Sequence, residues 1–310
     1  IKGAGKNDLR RQLFRPGKEV KKLAKFFSLG AVGVGAMQVN ACIDPVFARI
    51  SDLSGPVYLW YAIRFQQLAL AVFGIAATST LIPVLSRAIK EGKREKGQEI
   101  FSFGSRRILT VMIPCTFAVF ACGSGVIDFI FGRGSFSSDA VWKTSLCLSA
   151  YGAGLLPAVF VLYQSAVLYA EGNFRTSTLY SIIAVGINIG LNIFFTLTLA
   201  LGPVSTALAT SLSTWCNFFI LRRTLLKRGW RAQISFQATL KILLSAAFSA
   251  GFSLCVKDLL PFKGANFLLQ GLVFILSLFV FTFILQSQDL KHLFRDYLTS
   301  GKERDLPTQS

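Results

Sequence analysis

The sequence predicts an all-α polytopic membrane protein with about eight transmembrane helices, built as a six-helix lobe followed by a terminal helix pair. The 310 residues are 53% hydrophobic and only 15% charged, whereas about 25% of the residues of soluble proteins are charged. The charges also separate long apolar blocks, and the mean hydropathy is +0.54. A helix of roughly 20 apolar residues crosses the hydrocarbon layer, and most of these blocks reach that length.

The boundaries of the spans follow from the uncharged blocks. The longest block, 176–221, exceeds one crossing, and the sequence Leu201-Gly202-Pro203 divides it in two because proline interrupts a helix. The predicted spans are 26–50, 58–86, 104–131, 141–170, 176–200, 203–226, 238–256 and 265–287. The predicted domains are a basic cytoplasmic connector at 1–25, a six-helix transporter lobe at 26–228, a two-helix pair at 229–288 and a cytoplasmic tail at 289–310.

The net charge of +18 is explained by membrane topology. Eight crossings place both ends on one side, and if that side is cytoplasmic, 27 of the 33 lysines and arginines lie in cytoplasmic segments. Basic residues concentrate in the cytoplasmic loops of membrane proteins. We therefore expect both ends of the chain to be cytoplasmic, some basic side chains to contact anionic membrane lipids, and no nucleic-acid partner.

One arginine, Arg64, lies inside an apolar run, and the sequence from Phe65 to Ser86 carries no charge after it. A guanidinium group in the bilayer costs at least about 2.5 kcal/mol, so such a residue marks a substrate or ion pathway. The planar guanidinium fork suits phosphate and carboxylate oxygens. We predict that Arg64 binds an anionic group of a substrate.

A second polar feature is Asp44, which precedes Pro45 within the first span. Proline lacks an N–H, so the carbonyl of Ala41 loses its usual helical partner and becomes available to a cation beside the carboxylate. Two pairs of polar residues at i and i+4 lie in later spans: Asn188 and Asn192, and Thr206 and Thr210.

Depth counting places these polar residues in one layer. At a rise of 1.5 Å per residue, Asp44 and Arg64 lie roughly 9 Å, Asn192 roughly 12 Å and Thr210 roughly 10 Å from the outer ends of their helices. Oxygen ligands suit a hard monovalent cation such as Na⁺, so we predict a cation site formed by Asp44, Asn188, Asn192 and Thr210, with Na⁺ as a candidate coupling ion beside H⁺. Two alternatives remain open: Asp44 pairs with Arg64, or the amides and hydroxyls only join helices.

The sequence contains no pattern of an enzyme site. It has one histidine, His292, and six cysteines without metal-binding or redox spacing. A phosphate-cradling loop and a nucleophile with a neighbouring base are also absent from the sequence. We predict no catalytic residue, no dedicated metal site and no cofactor apart from the coupling ion. Energy for transport then comes from an ion gradient, the membrane potential or another subunit.

Three motifs resemble those of the MurJ (MviN) lipid II flippases, members of the MOP-type flippase superfamily. The first runs from Tyr61-Ala-Ile-Arg64 through Gly74 to Leu81-Ile-Pro-Val-Leu-Ser86. The second is Phe131-Gly-Arg-Gly-Ser-Phe-Ser137, and the third is Ala207-Leu-Ala-Thr-Ser211 after Gly202-Pro203. Family members have fourteen helices in two six-helix lobes and a terminal pair, and this chain is similar to helices seven to fourteen. We therefore expect a fragment whose upstream part, the first lobe, is missing.

The resemblance implies a function in peptidoglycan synthesis. A chain of this kind moves lipid II from the inner to the outer leaflet of the bacterial inner membrane by alternating access, and Arg64 matches the arginine of the central cationic cavity. Asp44, Asn188, Asn192 and Thr210 fall where some members place a sodium site, with Asn192 replacing an acid. Ile63 departs from the family's acidic residue before the arginine, so an identical salt-bridge network is not expected.

Two other functions are compatible with the sequence. One is transport by another MOP-type exporter, a drug/cation antiporter or an O-antigen flippase, although drug antiporters end at twelve helices and lack a terminal pair. The other is a membrane scaffold that transports nothing and binds cell-wall enzymes. Transport of lipid II in reconstituted vesicles distinguishes these functions.

Overall fold

The described part of the protein is helical throughout. The computed structural model describes residues 38–256 and 266–284. Its helices, in chain order, are α1 (38–51), α2 (Gly55–Ala69), a π-helical turn (Leu70–Ile75), α3 (Ala76–Lys90), α4 (Arg94–Phe131), α5 (Ser138–Ala153), α6 (Leu155–Ala170), α7 (Phe174–Leu197), α8 (Val204–Lys227), α9 (Phe236–Cys255) and α10 (Asn266–Ile284). The predicted connector 1–25, the beginning of the first predicted span and the tail 289–310 lie outside the described residues.

The membrane class predicted from the sequence is confirmed. Within 38–256 and 266–284, six helical segments are long and apolar enough to cross a membrane: Arg94–Phe131, Ser138–Ala170, Phe174–Leu197, Val204–Lys227, Phe236–Cys255 and Asn266–Ile284. Many large apolar side chains on these helices face outward, including Leu197 (67% exposed) and Phe279 (72% exposed). Lipid chains solvate such a surface, whereas water does not. The count of eight spans, the domain boundaries and the orientation remain predictions.

The break between α7 and α8 lies where the sequence placed it. Helix α7 ends at Leu197, and Gly202 has a φ of +69°, a left-handed conformation that glycine adopts without strain. Pro203 directly precedes the first residue of α8, and the hydroxyl of Ser205 donates to the carbonyl of Gly202 at 2.6 Å. Proline suits the start of a helix because the first backbone N–H groups of a helix have no intrahelical acceptor, so the N–H that proline lacks is not needed there.

Small residues let the helices approach closely. Gly154 separates α5 from α6, and a Cβ atom there would lie 3.0 Å from the Cα atom of Ser211 on α8. The Ser211 hydroxyl donates to the carbonyl of Ala150 at 2.6 Å. Close packing of this kind, rather than hydrophobic burial, holds helices together in a bilayer. It fixes α8 against α5, and α8 carries Thr210.

The linker 228–235 between α8 and α9 is clamped to the six-helix lobe. The Glu171 carboxylate accepts hydrogen bonds from the Trp230 indole at 2.6 Å and the Arg228 guanidinium at 3.1 Å. Arg94 donates to the carbonyl of Arg228 and lies over the Trp230 ring, with 5.7 Å between the guanidinium carbon and the ring centroid. Gln98 also bonds the backbone of this linker. The final helix pair is therefore anchored to the lobe through several contacts.

Replacing Glu171 with alanine should weaken this anchor, because the buried Trp230 indole and Arg228 lose their shared acceptor. A hydrogen bond to a charged group contributes about 1.5–3 kcal/mol, so we expect a loss of that size in the free energy of unfolding. Thermal unfolding in detergent measures it. The matched control is Glu91→Ala, since Glu91 pairs with Lys93 at 2.8 Å on an exposed surface and such pairs contribute little. Equal unfolding midpoints for both variants would contradict the anchoring role.

Candidate functional site

A buried carboxylate joins three helices. Asp44 of α1 is 8% exposed and accepts from the Asn192 amide of α7 at 3.1 Å and from the Thr210 hydroxyl of α8 at 2.9 Å. Asn40, one turn earlier on α1, donates to the same carboxylate at 3.4 Å. All of these donors are uncharged. No lysine or arginine among the described residues forms an ion pair with this carboxylate.

Asn188 completes the cluster. Its Oδ1 accepts from the Asn192 amide at 2.8 Å, and its amide lies 3.0 Å from the Thr210 hydroxyl. With the amide turned the other way, its nitrogen donates to Asn40 at 2.6 Å and to Asp44 at 3.2 Å. The structure thus brings together all four residues of the predicted cation site. The structure also adds Asn40 as a hydrogen-bond donor to Asp44. The sequence analysis missed Asn40, although its position four residues before Asp44 places it on the same helix face.

The oxygen atoms of this cluster fit a monovalent cation. Asn192 Oδ1 is buried and has no hydrogen-bond partner in the part of the chain that is described. Buried oxygens without donors are expensive, and a bound cation would supply the missing positive partner. Within the same residues no three His, Cys, Asp or Glu side chains lie together. One carboxylate with several neutral oxygens matches the charge of Na⁺ better than that of a divalent ion.

The alternative pairing of Asp44 with Arg64 is wrong, since no ion pair or hydrogen bond joins the two in the structure. The reason is the rotational setting of the two helices: the face of α2 that packs inside carries Tyr58, Leu59 and Ala62, and Arg64 lies off that face. The hydrogen bonds between α7 and α8 do form, as the second alternative expected. A role in joining helices alone does not explain why the Asp44 carboxylate lies at the centre of these hydrogen bonds.

Arg64 occupies an exposed stripe on α2. Its guanidinium carbon lies 4.5 Å from the centroid of the Trp60 ring, and its Nη1 donates to Gln67 Oε1 at 3.3 Å. Trp60, Arg64 and Gln67 are spaced at i, i+4 and i+7, so they share one face of the helix. A guanidinium stacked on an aromatic ring keeps most of its five donors free. This stripe could bind a planar oxyanion such as a phosphate.

The neighbouring and opposite faces of α2 are packed against other helices. Tyr61 lies against Phe131 and Phe136, with ring centroids 4.4 Å and 5.6 Å apart, so the first and second sequence motifs meet in space. The Gln66 amide donates to the carbonyl of Tyr151 on α5 at 3.2 Å. Rigid packing on one side positions the exposed stripe on the other. The π-helical turn Leu70–Ile75 follows directly, and such turns frequently accompany functional sites.

The joint between α1 and α2 links the two sites. Lys143 of α5 pairs with Asp52 in this joint at 2.9 Å and with Asp139 at 2.9 Å. The hydrogen bond from Lys143 lowers the pKa of Asp52, so this carboxylate remains charged. Arg49 also donates to the carbonyl of Leu53 across the joint. This short joint therefore connects α1, which carries Asp44, to α2, which carries Arg64.

Comparison with known proteins gives a consistent result. A family model described as lipid II flippase MurJ matches residues 5–284. A probable lipid II flippase MurJ of Chlamydia muridarum (strain MoPn / Nigg) is 29% identical over 202 residues, covering 65% of this chain and 38% of the relative. Another, of Rhizobium meliloti (strain 1021), is 29% identical over 248 residues, covering 78% of this chain and 45% of the relative. The chain thus spans less than half the length of these two relatives.

Solved structures extend the comparison to the fold. A lipid II flippase MurJ in an inward closed conformation superposes with a TM-score of 0.70 at 25% identity, covering 88% of this chain and 53% of that one. An outward-facing multidrug resistance MATE family transporter of the MOP superfamily gives a TM-score of 0.54 at 20% identity, covering 82% of this chain and 61% of that one. The second likeness concerns the fold alone.

Proposed function

Since this chain belongs to the MurJ lipid II flippase family, we propose that it forms the C-terminal part of a transporter of lipid II, the lipid-linked peptidoglycan precursor. The transporter carries lipid II from the inner to the outer leaflet of the bacterial inner membrane, with both ends of this chain on the cytoplasmic side. The observation that carries the proposal is the exposed Arg64 on a family motif, held against Trp60 rather than neutralised by an acid.

Arg64 provides the substrate-binding group. Lipid II presents a pyrophosphate between its polyprenyl tail and its sugar-peptide head. A guanidinium binds such an anion through paired, charge-assisted hydrogen bonds. Trp60 and Gln67 hold the side chain in place on the stripe, so the anion meets a prepositioned donor. The other wall of the cavity comes from a second lobe, which is the main protein partner that we propose for this chain.

The Asp44 cluster provides the coupling ion site. A Na⁺ ion bound by Asp44 with oxygens of Asn188, Asn192 and Thr210 would neutralise the buried carboxylate and tie α1 to α7 and α8. Alternating access needs two arrangements of the lobes around a central site, and an ion that binds one arrangement better shifts the equilibrium toward it. Through the braced joint, this shift would reach Arg64. No enzymatic step is needed for such transport.

A drug/cation antiporter is the second candidate considered, because such transporters share the fold. The family match over residues 5–284 favours lipid II instead. A scaffold without transport activity does not explain the buried one-carboxylate cluster.

Complementation tests the proposed substrate. The complete coding sequence that contains this chain should restore growth to bacteria depleted of their own lipid II flippase, because cell-wall synthesis needs lipid II at the outer leaflet. A fluorescent fusion verifies membrane insertion in the same cells. Failure to grow despite correct insertion, with increased extrusion of drugs, would favour the antiporter.

A further inference from the structure

A cleft at the predicted cytoplasmic end of the bundle is separate from both sites described above. It has a volume of about 540 Å³ and lies between α4, α6, α8 and the linker 228–235. Pockets for small ligands typically enclose about 300–1,000 Å³. The wall includes exposed apolar side chains, Phe219 at 55%, Leu226 at 43% and Phe236 at 78%. These side chains would face lipid, so the cleft would be open to the bilayer.

The cleft has an apolar layer and a polar layer. Leu156 and Trp215 line the part toward the middle of the membrane, and Gln164 and Arg222 line the part toward the cytoplasmic end. Along α6, Leu156 and Gln164 are about 12 Å apart in height at 1.5 Å per residue, and on α8 Trp215 and Arg222 are about 10 Å apart. The charged and amide side chains of the lining thus lie in its cytoplasmic half, among apolar neighbours such as Leu225 and Trp230. This places them on the same side as the head group of an inner-leaflet phospholipid.

The polar layer carries two basic groups. Arg222 and Arg231 both line the cleft and are exposed. Neither side chain forms an ion pair within the described ranges, although the backbone of Arg231 bonds Gln98. Two unneutralised guanidinium groups at head-group depth attract a phosphate, and each basic residue near an anionic membrane surface contributes measurably.

The polar layer also contains an acceptor without a donor. Gln164 lines the cleft at 4% exposure, and its Oε1 has no hydrogen-bond partner among the described residues. A phosphate oxygen cannot donate to it. A ligand for this layer should therefore combine an anion for the arginines with a hydroxyl group for Gln164.

We propose that this cleft binds an anionic phospholipid of the inner leaflet with a hydroxylated head group, of the phosphatidylglycerol type. One acyl chain lies along Leu156, Phe160 and Trp215. The phosphate lies at Arg222 and Arg231, and a glycerol hydroxyl donates to Gln164 Oε1. Because the linker 228–235 forms part of the wall, the bound lipid would hold the terminal helix pair against the lobe.

Fluorescence quenching tests the proposal with the purified chain in bilayers that contain no lipid II, so the result does not depend on transport. Two of the four tryptophans, Trp215 and Trp230, line the cleft, and Trp60→Phe with Trp142→Phe leaves these two as reporters. The probe is phosphatidylglycerol brominated midway along one acyl chain, in phosphatidylcholine bilayers. We expect it to quench more strongly than brominated phosphatidylcholine at equal mole fraction.

Charge variants identify the head-group site. Arg222→Gln and Arg231→Gln should each lower the relative affinity for phosphatidylglycerol by about tenfold, because each removes a charge-assisted hydrogen bond to the phosphate. The matched controls Arg223→Gln and Lys227→Gln remove an exposed charge from the same helix outside the cleft and should leave the affinity unchanged. Equal quenching by the two lipids in the unaltered cleft, or equal losses in variants and controls, would overturn the proposal.

Gln164→Leu isolates the hydroxyl contact. The reporter chain should bind phosphatidylglycerol more tightly than phosphatidylmethanol, which has the same charge but no free hydroxyl. This preference should disappear in Gln164→Leu and persist in Arg222→Gln. Since Gln164 Oε1 has no partner, the leucine should not lower the unfolding midpoint in detergent without the lipid. Equal binding of the two lipids before substitution would contradict the role given to Gln164.

Discussion

Replacing Arg64 with alanine is expected to slow lipid II translocation by about tenfold to a hundredfold, because a charge-assisted hydrogen bond contributes about 1.5–3 kcal/mol and each 1.36 kcal/mol changes a rate tenfold. The fold should survive, since Arg64 is exposed and, among the described residues, its side chain stacks on Trp60 and donates to Gln67. The measurement is the initial rate at which fluorescent lipid II becomes accessible to a membrane-impermeant quencher in vesicles containing the complete transporter.

Two further variants test whether the effect of Arg64→Ala is specific. Arg64→Lys keeps the charge but loses the planar fork, so it should restore only part of the rate. Arg223→Ala removes an exposed arginine from the end of α8 and should leave the rate unchanged. An unchanged rate in Arg64→Ala, with normal insertion, would exclude Arg64 from substrate binding.

Replacing Asp44 with asparagine is expected to remove the response to Na⁺, because the cluster then has no negative charge to attract a cation. In the unaltered protein, exchanging K⁺ for Na⁺ at constant ionic strength should raise the unfolding midpoint. A ligand at a hundred times its dissociation constant stabilises a protein by about 2.7 kcal/mol. Asp44→Asn should show no shift, and its lipid II translocation should no longer depend on a Na⁺ gradient.

The matched control for Asp44 is Asp52, a carboxylate in the adjacent joint that pairs with Lys143 at 2.9 Å. Asp52→Asn removes the same charge from the same region outside the cluster, so the Na⁺ shift should remain. If Na⁺ and K⁺ stabilise the unaltered protein equally, the cluster is not a sodium site and only joins helices.

The two expected effects are connected by geometry. Asp44 is bonded to α7 and α8, whereas Arg64 lies on α2 after a joint braced by Lys143. Under the proposed function, an ion that orders the cluster would act on the helix that carries Arg64. A Na⁺ effect on lipid II binding would measure the size of such a coupling between the two proposed sites.

The sequence was sufficient for the membrane class and for most members of the polar cluster around Asp44. Charge-free blocks of membrane length follow from the cost of burying charge, and polar residues in such blocks are conspicuous. Counting the rise per residue then placed Asp44, Asn192 and Thr210 at similar depth, and the structure brings them into contact. The position of each span and the depth of a residue within it depend only on the nearby sequence, so both could be predicted.

Rotation and close contacts between distant segments could not be predicted in this way. The pairing of Asp44 with Arg64 was considered because both lie at similar depth, yet helix rotation separates them. The contact of Glu171 with Trp230 joins residues 59 positions apart, and no periodicity in either segment indicates it. These features depend on tertiary packing.

Site-specific photo-crosslinking to lipid II tests the central claim, that the exposed stripe of α2 contacts the substrate. A photoreactive amino acid at position 67 in the complete transporter should form an adduct with lipid II in living cells, because Gln67 contacts Arg64. The Arg64→Ala substitution should decrease that adduct. The control position, Leu197, is 67% exposed at the end of α7 and should give none. Absence of an adduct at position 67, or equal adducts at both positions, would contradict the account.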